Sequence, residues 1–103
     1  MGDSDYDARM AQLHIRFVAM AATERDRLDR AIAALDTSER DVVLAEIRSI
    51  AHGISGTAGT FGFPEAGEAA EALENLVIAG RADLSSIREG GKRLSAELGR
   101  IDR

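Results

Sequence analysis

The residues best suited to chemistry lie in one run, Ile50-Ala51-His52-Gly53-Ile54-Ser55-Gly56-Thr57-Ala58-Gly59-Thr60-Phe61-Gly62. It holds one of the chain's two histidines and glycines at 53, 56, 59 and 62. In a helix interior each glycine costs about 1 kcal/mol relative to alanine. Three of the four fall inside an apolar stripe of helical period, so this segment gives up roughly 3 kcal/mol of helix propensity, a large sacrifice where total stability is ~5–15 kcal/mol. A phosphate-cradling loop does not explain it, because there is no Gly-Lys-Ser/Thr and no preceding strand. A helix stripped bare on one side does. Ile50 and Ile54 each lie ~200° around the helix from His52, so the imidazole points away from the apolar stripe. Its neighbours on its own face are Ser55, Gly56 and Gly59, all small. A partner can therefore approach the ring closely. Lone histidines are ordinarily surface or hydrogen-bonded residues, and the glycines are what single out His52. His14, beside the Leu13–Phe17 stripe, has no such setting and reads as a partly covered helix residue.

The elements that must position His52 all read as helices. Met10, Leu13, Phe17 and Met20 form a first apolar stripe, and Leu28, Ile32 and Leu35 a second. Asp36-Thr37-Ser38 breaks the pattern, and Ser38 with Asp41 resembles a capping box. Val43, Ile47, Ile50, Ile54, Ala58 and Phe61 make the third stripe. Gly62-Phe63-Pro64 is a stop followed by a start, with Pro64 suited to a first helical position. Ala66, Ala69, Ala70, Leu73, Leu76 and Val77 make the fourth, ending near Gly80. Asp83 is a candidate N-cap for the fifth: Leu84, Ile87, Gly91, Leu94, Leu98 and Ile101. Short links favour antiparallel neighbours. The expected fold is all-α: an up-and-down antiparallel four-helix bundle with helices over about 22–35, 38–61, 65–79 and 84–101. An additional short N-terminal helix over about 5–20 should lie across one end or prolong the first helix.

That hairpin places a carboxylate. With the turn near residue 63, His52 lies 11 residues before it and Glu74 11 after it, so the two are level at ~1.5 Å of rise per residue. Glu74 could accept a hydrogen bond from Nδ1–H, fixing the tautomer that leaves Nε2 as the nucleophile. Glu65, Glu68, Glu71 and Glu74 also read as a plain solvated acidic face. Carboxylates at 71 and 74 without a second histidine argue against a metal site.

Composition narrows the function classes. The 103 residues make one domain, 1–103. Aromatics are only 4%, so the core is aliphatic. With no cysteine, disulfides and thiol chemistry are excluded. The net charge of −5 argues against nucleic acid, which calls for a basic face. No apolar run approaches the ~20 residues that span a bilayer, and the N-terminus lacks a signal-peptide pattern. The expected compartment is the cytoplasm. The core needs both the third and fifth stripes, which points to a monomer.

The run from Ala51 to Phe63 resembles the phosphoacceptor motif of histidine-containing phosphotransfer (HPt) domains, and is especially similar to the N-terminal phosphotransfer domain of chemotaxis histidine kinases. The pattern there is His, a small residue, Ile or Leu, Lys, Gly, two small residues, Gly, any residue, Phe or Leu, and Gly. Glu71-Ala72-Leu73-Glu74-Asn75-Leu76 matches the family's Glu-Asn-Leu element. The resemblance implies a phosphocarrier in a two-component phosphorelay, phosphorylated on His52 through Nε2. A histidine kinase or phosphorylated receiver domain is the donor and a response-regulator receiver aspartate the acceptor. No nucleotide site or cofactor is implied, and no autonomous kinase activity. The family's lysine three residues after the histidine is Ser55 here. Arg48, four residues before His52 on the same face, could supply the missing charge to the phosphoryl oxygens or be a solvated surface arginine. Gly56 and Gly59 give the partner access. A free-standing shuttle is favoured because Met1 opens a chain of domain length. The alternatives are an excised phosphotransfer domain of a larger kinase and a helical adaptor that is never phosphorylated, for which Ser55 is the best argument.

Overall fold

The computed structural model describes residues 2–37, 39–80 and 83–101. Four helices follow in order: α1 Gly2–Ala33, α2 Arg40–Ser55, α3 Pro64–Ala79 and α4 Leu84–Ile101. No strand occurs among the described residues. Neighbouring helices are antiparallel, as their contacts reveal. Arg25 Nε donates to Ser95 Oγ at 3.2 Å, and Ile32 packs on Gly91. Arg27 reaches Glu46, whereas Phe17 meets Phe61 with ring centroids 5.5 Å apart. Leu28, Leu35, Ile47, Ile50, Ile54, Leu73, Leu94 and Leu98 are fully buried between the four.

The expected short N-terminal helix does not exist as a separate element. The first two stripes belong to one 32-residue helix. The segment joining them, Ala21-Ala22-Thr23-Glu24-Arg25-Asp26-Arg27, contains no Gly or Pro. It carries the i,i+3 pair Glu24–Arg27 and the i,i+4 pair Asp26–Arg30, and buried Ala21 and Leu28 are two turns apart, so the apolar face runs through. Arg27 bonds both Glu24 and Glu46, and these hydrogen bonds raise its pKa.

The second expected helix, 38–61, is shorter as a regular α-helix. Its proposed cap, Ser38, lies outside the described residues; Glu39 is the N-cap position and makes no side-chain cap bond. At the other end regular α-helix stops at Ser55, and residues 56–62 continue as hydrogen-bonded turns. Bonds there mix i→i−3 and i→i−4 partners: Thr57 N to Ile54 O at 3.1 Å, Ala58 N to Ile54 O at 2.9 Å. The path ends in a Schellman arrangement, Phe63 N to Ala58 O at 2.9 Å and Gly62 N to Gly59 O at 3.2 Å. Gly62, at φ +90°, supplies the left-handed residue that motif requires. Glycines thus loosen the helix without turning the chain aside, and Ala58 stays buried in line with Ile54.

The last two helices start and stop where expected. Pro64 opens α3, and Gly80 at φ +66° closes it. Asp83 Oδ1 accepts from Ser86 N at 2.8 Å, capping α4, and this bond holds the Asp83 carboxyl below its usual pKa. No helix of the described residues is long and apolar enough to cross a membrane.

Candidate functional site

His52 stands in the last turn of α2, with its side chain 77% exposed. The offset from buried Ile50 and Ile54 puts it there. Across the α2–α3 hairpin, Glu74 Oε2 lies 2.7 Å from His52 Nδ1. A carboxylate only accepts hydrogen bonds, so Nδ1 is the protonated nitrogen of this pair, and in the neutral ring Nε2 then keeps its lone pair. Glu74 is far less exposed than the ring it holds, at 13%. Being set into the hairpin, it has little freedom to swing away.

Ser55, half-buried one turn after His52, directs its hydroxyl inward. Oγ lies 3.0 Å from the His52 carbonyl oxygen and 3.4 Å from Glu74 Oε1. The oxygen of Glu74 that does not hold the imidazole is thus approached by Ser55. Arg48 is exposed and lines a shallow depression with Ala45, Ser49, His52 and Glu74. Among the described residues Arg48 takes part in no ion pair.

The glycines leave the other side of the ring open. A Cβ at Gly53 or Gly59 would meet nothing within 4 Å, and one at Gly56 would meet only backbone, His52 O at 3.6 Å and Gly53 O at 3.9 Å. Gly56 has ordinary right-handed backbone angles, φ −77° and ψ −16°. Neither sterics nor conformation demands glycine at these three positions. Ala45 and Ser49, which complete the floor of the depression, were not singled out from the sequence. Their spacing of seven and three residues before His52 carried the signal, small residues on the same helical face.

His14 is exposed and far from this arrangement. It stacks on Phe63 with centroids 5.4 Å apart, and Phe63 stacks in turn on Phe17 at 5.6 Å. Among the described residues no three His, Asp or Glu side chains gather as a metal site.

The arrangement pairs a held, exposed imidazole with a cleared approach, the combination needed to receive a group from another macromolecule. No curated protein and no solved structure gives a significant match to the chain. The family model for the Hpt domain, however, matches residues 12–103. These residues take in most of α1, the other three helices and the whole of the His52 site, and the chain belongs to the Hpt-domain family, whose members transfer phosphoryl groups on histidine in phosphorelays with kinases and receiver domains.

Proposed function

We propose that the protein is a phosphocarrier whose phosphoacceptor is His52 Nε2. It takes the phosphoryl group from a histidine kinase or a phosphorylated receiver and passes it to a receiver aspartate. The observation that carries this reading is the 2.7 Å contact of Nδ1 with Glu74 on an otherwise exposed ring. In the forward step the Nε2 lone pair forms the N–P bond. The bond from phosphorus to the donor atom breaks, its electron pair leaving with the donor. Nδ1 keeps its proton, so the phosphorylated ring is cationic, and the Glu74 carboxylate stabilises that charge. The carbonyl end of α2 favours a cation in the same place. Transfer onward reverses the electron flow, returning the ring to its neutral tautomer without a proton having to move.

Arg48 is placed to meet the phosphoryl oxygens from the Ala45–Ser49 side. Ser55 serves a different end from the family's lysine: its hydroxyl sits between the His52 carbonyl at 3.0 Å and Glu74 Oε1 at 3.4 Å, and its single proton serves one of these acceptors at a time. Gly56 and Gly59 admit the partner. The bundle works as a cytoplasmic phosphocarrier that takes its phosphoryl group from a partner kinase or receiver.

The test is labelling. Incubation with a phosphorylated receiver or an active histidine kinase should give an acid-labile, base-stable phosphate. It should vanish in His52→Gln, whose thermal unfolding stays near wild type because the side chain is exposed, and persist in His14→Gln. Label retained in His52→Gln, or lost only in His14→Gln, overturns the assignment.

A further inference from the structure

Four hydroxyl side chains lie within eight residues of His52: Ser49, Ser55, Thr57 and Thr60. Two of them are turned back on their own helix. Ser55 Oγ donates to His52 O and Thr57 Oγ1 to Gly53 O, each at 3.0 Å. Thr60 is exposed but lies eight residues beyond His52. A helical side chain leans toward the N-terminus, so the imidazole covers the turn before it and not the turns after. Ser49 stands in that preceding turn. It is exposed, and among the described residues its hydroxyl makes no hydrogen bond.

The orientation of the ring selects a side. Glu74 of α3 holds Nδ1. Nε2 lies across Cε1 from Nδ1, and the in-plane directions of the two nitrogens diverge widely, so the Nε2 lone pair points away from α3. Ser55 is on the α3 flank of His52, 3.4 Å from Glu74 Oε1. Ser49 is on the opposite flank, ~60° around the helix from His52. There it shares a groove with Met20, Glu24 and Arg27 of α1, with Ile50 and Ile54 beneath. It also lines the depression that holds His52 and Arg48. Gly53 leaves this flank bare, since a Cβ there would meet nothing within 4 Å. The charges on the α1 wall are engaged, Arg27 bonding both Glu24 and Glu46. On α2 itself, the unengaged donors beside Nε2 are Arg48 and Ser49.

We infer that Ser49 is a phosphoryl-binding residue, its hydroxyl donating a hydrogen bond to an oxygen of the group carried on His52 Nε2. The inference rests on the phosphocarrier reading and deepens it. Arg48 brings charge from a long, mobile side chain. Ser49 brings a short donor fixed by the helix. As the N–P bond forms, Ser49 keeps its proton and stabilises an oxygen that gathers charge.

Phosphoramidate, a small N–P donor, tests this without a partner protein. Nε2 attacks its phosphorus, its P–N bond breaks, and the electron pair leaves with the nitrogen as ammonia. The full chain carries His14→Gln in every sample, so that His52 is the one imidazole present, and phosphorus NMR follows the label. Ser49→Ala should slow labelling about threefold, as suits one hydrogen bond at an exposed, screened site. It should also raise the pH at which the phosphoryl group takes up its proton by about 0.5, because a donor favours the dianion. Ser49→Thr keeps the hydroxyl and should restore both values. Alanine is the better helix former, so Ser49→Ala should melt no lower than its parent. A wild-type rate and an unmoved titration in Ser49→Ala overturn the inference, while the label on His52 leaves the proposed function standing. Equal losses in Ser49→Ala and Ser49→Thr also overturn it, since helix packing and not the hydroxyl would then be responsible. A parent chain that takes no label at His52 overturns the phosphocarrier reading, and this inference with it.

Discussion

A methyl group added to Gly91 of α4 would run into Cδ1 and Cγ1 of Ile32 on α1. At Gly99 it would come 2.6 Å from Nη1 of Arg25. Added to Gly53 or Gly59, beside His52, it would touch nothing within 4 Å. Both sets of glycines cost helix propensity, yet they return different things. In α4 the missing side chains let α1 approach closely, with Ser95 between them bonded to Arg25. At the end of α2 the missing side chains face solvent, and no contact within the chain compensates. A glycine cluster explained by packing is a statement about the fold. One that packing leaves unexplained points outward, to what must come close to the ring in an Hpt domain.

The sharpest way to break this comparison is to fill both kinds of site with the same residue. Gly91→Leu should destabilise the bundle by about 3 kcal/mol, the upper end of the usual overpacking range, as read by urea denaturation, while the folded fraction still transfers phosphate at the wild-type rate. Glu74→Gln asks whether the cleared surface serves a held imidazole. It removes a charge-assisted hydrogen bond worth ~1.5–3 kcal/mol, so phosphotransfer should slow by roughly ten- to a hundredfold with little change in melting temperature. An unaltered rate would reduce Glu74 to part of an acidic face.

Gly56→Leu is the counterpart of Gly91→Leu, with the opposite sign. Its right-handed backbone accepts leucine, so stability should rise by up to ~1 kcal/mol. Transfer with a receiver should fall by roughly tenfold, the equivalent of about 1.4 kcal/mol at an interface. A higher melting temperature with unchanged transfer would mean the glycines do not serve access. The smallest effects concern charge. Arg48→Ala should lower the rate or extent of phosphorylation by a few-fold, corresponding to ~0.3–1 kcal/mol at an exposed, screened site. Ser55→Lys should raise it by a similar factor, less if the new ammonium pairs with Glu74. Arg48→Ala should matter less in the Ser55→Lys background, and a double-mutant cycle reads that coupling. Additive effects would leave Arg48 an ordinary surface residue.

What the sequence determined by itself was local or followed from a count along the chain. Apolar residues at spacings of three and four dictate helices, and Pro64, Gly80 and Asp83 mark starts and stops through chemistry that acts within one turn. The offset of His52 from Ile50 and Ile54 is a property of one helix, so its exposure was legible. The level placement of Glu74 needed only a tight hairpin and equal numbers of residues on each side of residue 63. Tertiary structure decided the rest, because identical local patterns have different fates according to what lies opposite. Met10 and Leu13 look like core residues by spacing, yet α2 and α4 end before reaching them. The pattern of Gly91 in a stripe is no different from that of Gly53 or Gly56, and only the arrival of Ile32 at one and solvent at the others separates a packing glycine from an open one. Ser55 could have faced the phosphoryl site or its own helix; its hydroxyl turns back onto the His52 carbonyl of its own helix at 3.0 Å, with Glu74 Oε1 3.4 Å away. Periodicity specifies which face of a helix is apolar. How far each neighbour extends along that face is set by the packing of all four helices together, and no single segment encodes it.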